Sequence, residues 1–262
     1  MASTRVNGLD LYYEELTTAT SKAPLLMIMG LTFSLLDWGD DLPKALSNNY
    51  RVIMFDNRAS GRTKASSPLV PFTVSNLADD AAGLLAQLKI SRAHVFGISM
   101  GGMIAQELAL KHSGLVHKLV LGCTACSSAI LSPGALGATT GSGSGDPPAW
   151  ALLFSKDFIE KNRTNLAPFW KRAEPFHSQG VEKDLQMGAV MTHDTCSRLS
   201  KIGSETLILT GDSDPVIHPS NSDKLKEIPG ARLVTDPFKG AFHGFPYSHW
   251  KETLAELTGF LK

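Results

Sequence analysis

The chain of 262 residues is 43% hydrophobic and 19% charged, with Lys+Arg and Asp+Glu balanced at 25 each. This size and mix build one large globular core, or one core with an inserted subdomain, and exclude a disordered or fibrous chain. Zero net charge gives no basic excess to attract nucleic acid or an anionic membrane surface, and no apolar run is long enough to cross a bilayer.

The first residues, MASTRVNGLDLYYEEL, are polar and lack the apolar stretch of a secretion signal, so a cytoplasmic protein is expected. The three cysteines, Cys123, Cys126 and Cys196, argue against a disulfide framework and fit a reducing compartment. Cys123 and Cys126 form a C-x-x-C, but a zinc site would want a second pair. They read as small apolar residues packed at a strand end.

Asn7-Gly8 splits two short runs and predicts a hairpin. The continuous apolar runs PLLMIM (24–29) and YRVIMFD (50–56) read as strands buried on both faces. Over 75–90 the period changes: Leu77, Ala81, Leu84, Leu85 and Leu88 make one face of a helix. AHVFGI (93–98) is a strand and 100–112 a helix. KLVLGC (118–123), TLILTG (206–211) and ARLVTD (231–236) are further strands, and Trp250, Leu254, Leu257 and Leu261 stripe a final helix. The alternation predicts an α/β fold, a mostly parallel sheet with helices on both faces.

The pattern breaks between about 124 and 200. SPGALGATTGSGSGDPP reads as loop, and helical pieces rich in Trp and Phe follow. A helical cap over 124–200, set into a core of 1–123 and 201–262, is the expected organisation. GSGSG is not a phosphate loop, since no Gly-Lys-Ser/Thr follows it. Asn162-Arg-Thr matches a glycosylation sequon without a secretion signal.

Gly97-Ile98-Ser99-Met100-Gly101 fits G-x-S-x-G between a strand and a helix. A strand running straight into a helix must turn sharply, and glycines on either side let the two approach. Ser99 then projects above the C-terminal edge of the sheet, where open α/β sheets bind ligands. A serine hydroxyl needs a base, and the base an orienting carboxylate. In GDSDPVIH, Asp214 is preferred for the acid because it lies further into the loop and precedes Pro215; Asp212 stays as the alternative. His243, between small neighbours in GAFHG, is preferred for the base over its rival His218.

The pieces MIMGLTFSLLDW, FDNRASGRT, GISMGG, GDSDPV and GAFHG together resemble the α/β-hydrolase superfamily of serine esterases and lactonases, in particular enol-lactone hydrolases and aclacinomycin methylesterase-like enzymes. The resemblance implies that Ser99 is the nucleophile, His243 the base and Asp214 the acid. It implies an oxyanion hole of the Leu31 and Met100 N–H groups. Met29 stands where histidine is commoner, which leaves open how that loop is held. Asp56 and Arg58 are given no chemistry. Gly30, Phe33, Trp150 and Phe154 are expected to contact a small ester or lactone substrate. No metal or organic cofactor is expected. C–C hydrolases, perhydrolases, hydroxynitrile lyases and ligand-binding receptors keep the same serine and stay open as alternatives, whereas Ser99 argues against dehalogenases and epoxide hydrolases, which need Asp there.

Overall fold

A computed structural model describes residues 2–16, 23–128 and 146–262. The chain begins with an antiparallel hairpin of β1 (Ala2–Val6) and β2 (Leu9–Leu16), turned at Asn7 and Gly8, both with positive φ. Then come β3 (Pro24–Ile28), α1 (Asp41–Ser47), β4 (Arg51–Phe55), the two-residue β5 (Lys64–Ala65), α2 (Val74–Gln87), β6 (Ala93–Ile98), α3 (Met100–Lys111) and β7 (Val116–Gly122). Three helices follow, α4 (Trp150–Leu153), α5 (Lys156–Ala173) and α6 (Gly180–Met191). The chain closes with β8 (Glu205–Leu209), α7 (Asn221–Leu225), β9 (Arg232–Val234), α8 (Phe245–Ser248) and α9 (Trp250–Phe260).

The sheet order is β1-β2-β4-β3-β6-β7-β8-β9, with β5 on β2. Pairing is parallel from β4 through β9 and antiparallel at the β1–β2–β4 edge. This is the α/β fold that the alternation predicts. β5 and α1 are additions: two residues are too few to show a period, and Pro43 lies within the seven residues of α1.

Strand residues alternate between two apolar layers, because successive side chains point to opposite faces. Leu26, Ile28, Ile53, Phe55 and Val95 face α2 and α3, joining Leu77, Leu84, Ile104 and Leu108. Leu25, Met27, Val52, Met54 and Phe96 face α1 and α9, joining Leu42, Leu46, Leu257 and Leu261. The strands read as unbroken apolar runs because both faces are covered. At their C-terminal ends α4 and α5 build a third cluster, in which Trp150, Phe154, Ile159, Leu166 and Trp170 are buried.

The cysteines depart from expectation. Cys126 and Cys196 form a disulfide across a separation of 70 residues, with Cα atoms 4.9 Å apart, while Cys123 is free and buried. The segments that carry them leave and re-enter the core side by side: Ser127 bridges Asp194, and the Thr195 N–H donates to the Cys126 carbonyl at 2.7 Å. Cys123 does behave as a small apolar residue at a strand end. The Gly/Ser/Pro-rich loop and GSGSG lie outside the described residues, apart from Asp146, Pro147 and Pro148. Among the described residues no helix is long and apolar enough to cross a membrane.

Candidate active site

Ser99 is the single residue between β6 and α3, and its backbone is held at φ 56°, ψ −126°. That conformation costs a non-glycine residue about 1–3 kcal/mol and persists only where the surroundings enforce it. The glycines show how. A Cβ on Gly97 would sit 2.1 Å from the Gly101 carbonyl oxygen, and one on Gly101 would sit 2.1 Å from that of Ile28. Strand and helix thus touch backbone to backbone. The Ser99 carbonyl accepts from Gly102 N–H at 2.9 Å and from the Thr124 hydroxyl at 2.7 Å, which fixes the corner from both sides.

Asp214 and His243 come from the loops after β8 and β9. The Asp214 Oδ2 lies 2.7 Å from His243 Nδ1, and both side chains are buried. The other carboxylate oxygen accepts the N–H groups of Val216 (2.8 Å) and Ile217 (3.0 Å), so the acid cannot swing away from the ring. Burial disfavours charge on the imidazole. The adjoining Asp214 carboxylate outweighs this and raises the His243 pKa well above its ordinary 6.5. Nδ1 is engaged by the Asp214 carboxylate, which leaves Nε2 free of that contact. Among the described residues no hydrogen bond joins the Ser99 hydroxyl to the ring in this conformation, yet both side chains line one cavity. Such contacts are commonly long before substrate binds.

The rivals fall elsewhere. Asp212 is exposed and accepts the Gly240 N–H at 2.6 Å, as a turn residue does. His218 is exposed and bonds Ser220 at 2.9 Å. The Cys123 thiol donates weakly to the His243 carbonyl at 3.5 Å; burial pushes its pKa up and keeps it protonated. The donor atoms of Cys123, Asp214 and His243 lie within 4.8 Å of one another, close enough to ligate an ion, but the Asp214–His243 hydrogen bond already occupies two of them.

Leu31 and Met100 both line the cavity beside Ser99, and among the described residues neither N–H has a protein acceptor. Met100 opens α3, where backbone N–H groups have no intrahelical partner and the helix dipole is positive. The loop carrying Leu31 is held by side chains from two other segments. Asn57 donates to the Met29 carbonyl (2.9 Å), and the Asp56 carboxylate accepts the Leu35 N–H (2.7 Å). Gln186, on α6 and fully buried, accepts the Thr32 N–H at 2.8 Å and donates to the Arg58 carbonyl at 2.9 Å. Side chains from the 56–60 turn and from α6 thus fix this loop, with methionine at position 29. The FDNRASGRT motif pointed to that turn; nothing in the sequence pointed to Gln186.

The cavity has a volume of about 330 Å³ and is lined chiefly by apolar groups. Of the residues expected to contact substrate, Gly30, Phe33 and Phe154 line it. Trp150 does not. It is buried one layer back, edge-on to Trp170 with ring centroids 6.3 Å apart, and Trp170 takes the wall position instead. Met103, Phe169, His177 and Tyr247 also face the cavity and were not foreseen. Met103 lies on α3, one turn beyond Ser99, whereas the placement of Phe169, His177 and Tyr247 depends on how the segments after β7 fold back over the sheet.

Fold and site define an α/β hydrolase. Residues 23–183 match the family model described as alpha/beta hydrolase fold, and the chain belongs to that family. It is 30% identical over 233 residues to a Pseudomonas savastanoi pv. phaseolicola protein named carbamate hydrolase RutD, covering 83% of this chain and 86% of that one. It is 27% identical over 280 residues to the protein of the same name from Caulobacter sp., covering 100% and 98%. Among solved structures it is similar to the enol-lactonase from Burkholderia xenovorans LB400, with TM-score 0.82, 26% identity and 99% of each chain covered.

Proposed function

We propose that the protein hydrolyses carboxylic esters or lactones of small to medium apolar acyl groups through an acyl-enzyme on Ser99. The observation that carries this reading is the 2.7 Å Asp214–His243 contact opening onto the apolar cavity that the strained Ser99 also lines. His243 Nε2 takes the Ser99 proton as the oxygen attacks the acyl carbon. The charge that develops on the carbonyl oxygen is met by the Leu31 and Met100 N–H groups, each worth about 3 kcal/mol of barrier. The imidazolium then protonates the leaving alcohol. Water, deprotonated by the same ring, releases the acid and restores the serine. Asp214 keeps the ring in the tautomer that leaves Nε2 free. The described residues of the 124–200 segment serve as the cap over this site, and those of 1–123 with 201–262 as its core.

Carbamates are a second reading, favoured by the names of the relatives at 27–30% identity. A carbamate carbonyl is attacked in the same geometry, but it is less electrophilic because nitrogen donates into it. A panel of short aliphatic esters, lactones and carbamates, followed by acid release at fixed pH, separates the two. Ester or lactone turnover is expected to dominate. Ser99→Ala is expected to cut kcat by at least about 10³-fold with the fold intact by circular dichroism. Near-native turnover in Ser99→Ala would remove the acyl-enzyme reading.

A further inference from the structure

A second cavity, of about 300 Å³, adjoins the one at Ser99 and His243. Trp38 and Tyr247 line both, which places these two residues between the chambers. The chambers differ in chemistry. The first is chiefly apolar, whereas Asp41, Asn162, Asn165 and Ser248 put polar groups around the second.

The two residues are held differently. Trp38 is 2% exposed and packs on the core residue Phe96, with ring centroids 5.0 Å apart. Tyr247 belongs to the short helix α8, four residues after His243, and is only half-buried. Its ring lies against Phe169 at 4.6 Å and Phe154 at 5.6 Å. On a further side it rests against Gly39: a Cβ there would fall 2.9 Å from the tyrosine ring. Glycine at position 39 therefore leaves the space that the ring fills, and Gly39 also holds φ 69°, a region that favours glycine.

We propose that Tyr247 is a specificity-determining residue that sets the length of substrate the site accepts by closing off the chamber behind it, and that this chamber becomes a subsite for the hydroxylated far end of a longer chain only when the ring is removed. This rests on the ester-hydrolase reading above. With Tyr247 in place the substrate is confined to the apolar chamber, and esters that outgrow it meet an aromatic wall. Without the ring, an apolar chain bearing a terminal hydroxyl spans both chambers, with its hydroxyl among Asn162, Asn165 and Ser248.

The test is the ratio of kcat/KM for a long ester to that for a short one, measured within each variant so that any loss common to all substrates cancels. Esters of ω-hydroxy acids from about four to about twelve carbons and their plain alkyl counterparts suit a cavity of this class. The wild-type protein and Tyr247→Phe should show the same steep decline with length. Tyr247→Ala should raise the long-to-short ratio at least about tenfold, the scale on which a pocket discriminates added methylenes. It should do so more for the hydroxylated chains than for the plain ones. An unchanged ratio in Tyr247→Ala overturns the proposal; an equal gain for both series overturns the polar subsite. Tyr247→Leu gives the same reading if the alanine variant does not fold. If the wild type hydrolyses no ester, the function proposed above fails, and the role of Tyr247 is read by binding instead. The change in tryptophan emission on titration with 1,n-alkanediols should then show long diols bound at least about tenfold tighter in Tyr247→Ala than in wild type, and equal affinities would overturn it.

Discussion

Asp214 and His243 sit 2.7 Å apart with both side chains buried, and the carboxylate raises the pKa of the ring. In the proposed mechanism a protonated imidazole cannot take a proton from Ser99, so activity is expected to fall as pH drops through the His243 pKa. Because that pKa is raised well above 6.5, the acid limb of kcat/KM for a neutral ester is expected above 6.5. Asp214→Asn removes the largest raising influence, so the limb should move to lower pH while kcat falls. A limb at or below 6.5 that stays put in Asp214→Asn would show that this carboxylate does not govern the ring. Two other buried histidines contrast with it: burial lowers His94 and His193 to about 4, which keeps them neutral. Eight histidines look alike in the sequence. Small neighbours singled out His243 because only a bare loop can deliver a ring onto a sheet edge, and the glycine spacing around Ser99 was legible for the same steric reason. Gln186 was illegible, since a glutamine in a helix carries no sign that it will reach the loop of Leu31 from across the cavity.

The element that matters most is the β6–α3 corner. Its two glycines are contacts rather than hinges, because backbone oxygens of neighbouring segments occupy the space a methyl group would need. Gly101→Ala is therefore expected to push α3 off β3, with a loss of about 3 kcal/mol or more in stability and at least about 100-fold in turnover. Gly188→Ala on α6 is the matched control. Nothing lies within 4 Å of its added Cβ, and a mid-helix alanine should stabilise by about 0.5–1 kcal/mol. Urea unfolding of the two variants checks both signs. The other elements were readable to within a residue or two where a strand is buried on both faces or a helix carries a clear stripe. They were not readable where the element is as short as β5 or, like α1, runs for seven residues with Pro43 inside it.

At the scale of the whole molecule, the disulfide closes the segment that carries α4, α5 and α6 at its base. Chain-entropy arguments give about 4 kcal/mol for a closed loop of this length, an upper figure because the unfolded segment retains some structure. Cys196→Ser, or reduction under native conditions, should lower stability by about 2–4 kcal/mol as read by urea unfolding. Free-thiol titration of the unfolded protein should rise from one cysteine to three on reduction, counting Cys123 as the free thiol. Three reactive thiols without reductant would remove the bond from the account.

The sequence by itself determined the alternating α/β order, the two-faced burial of the strands, and the sharp strand-to-helix corner at Ser99. These depend on local periodicity and on steric rules that act over a few residues. Only the tertiary structure decided that Cys126 meets Cys196, that Trp170 rather than Trp150 forms the cavity wall, that Gln186 pins the loop of Leu31, and that Tyr247 lies between two chambers. Each of these is a contact between segments far apart in the chain, fixed by how the helices after β7 come to rest on the sheet, and residue spacing carries no record of that packing.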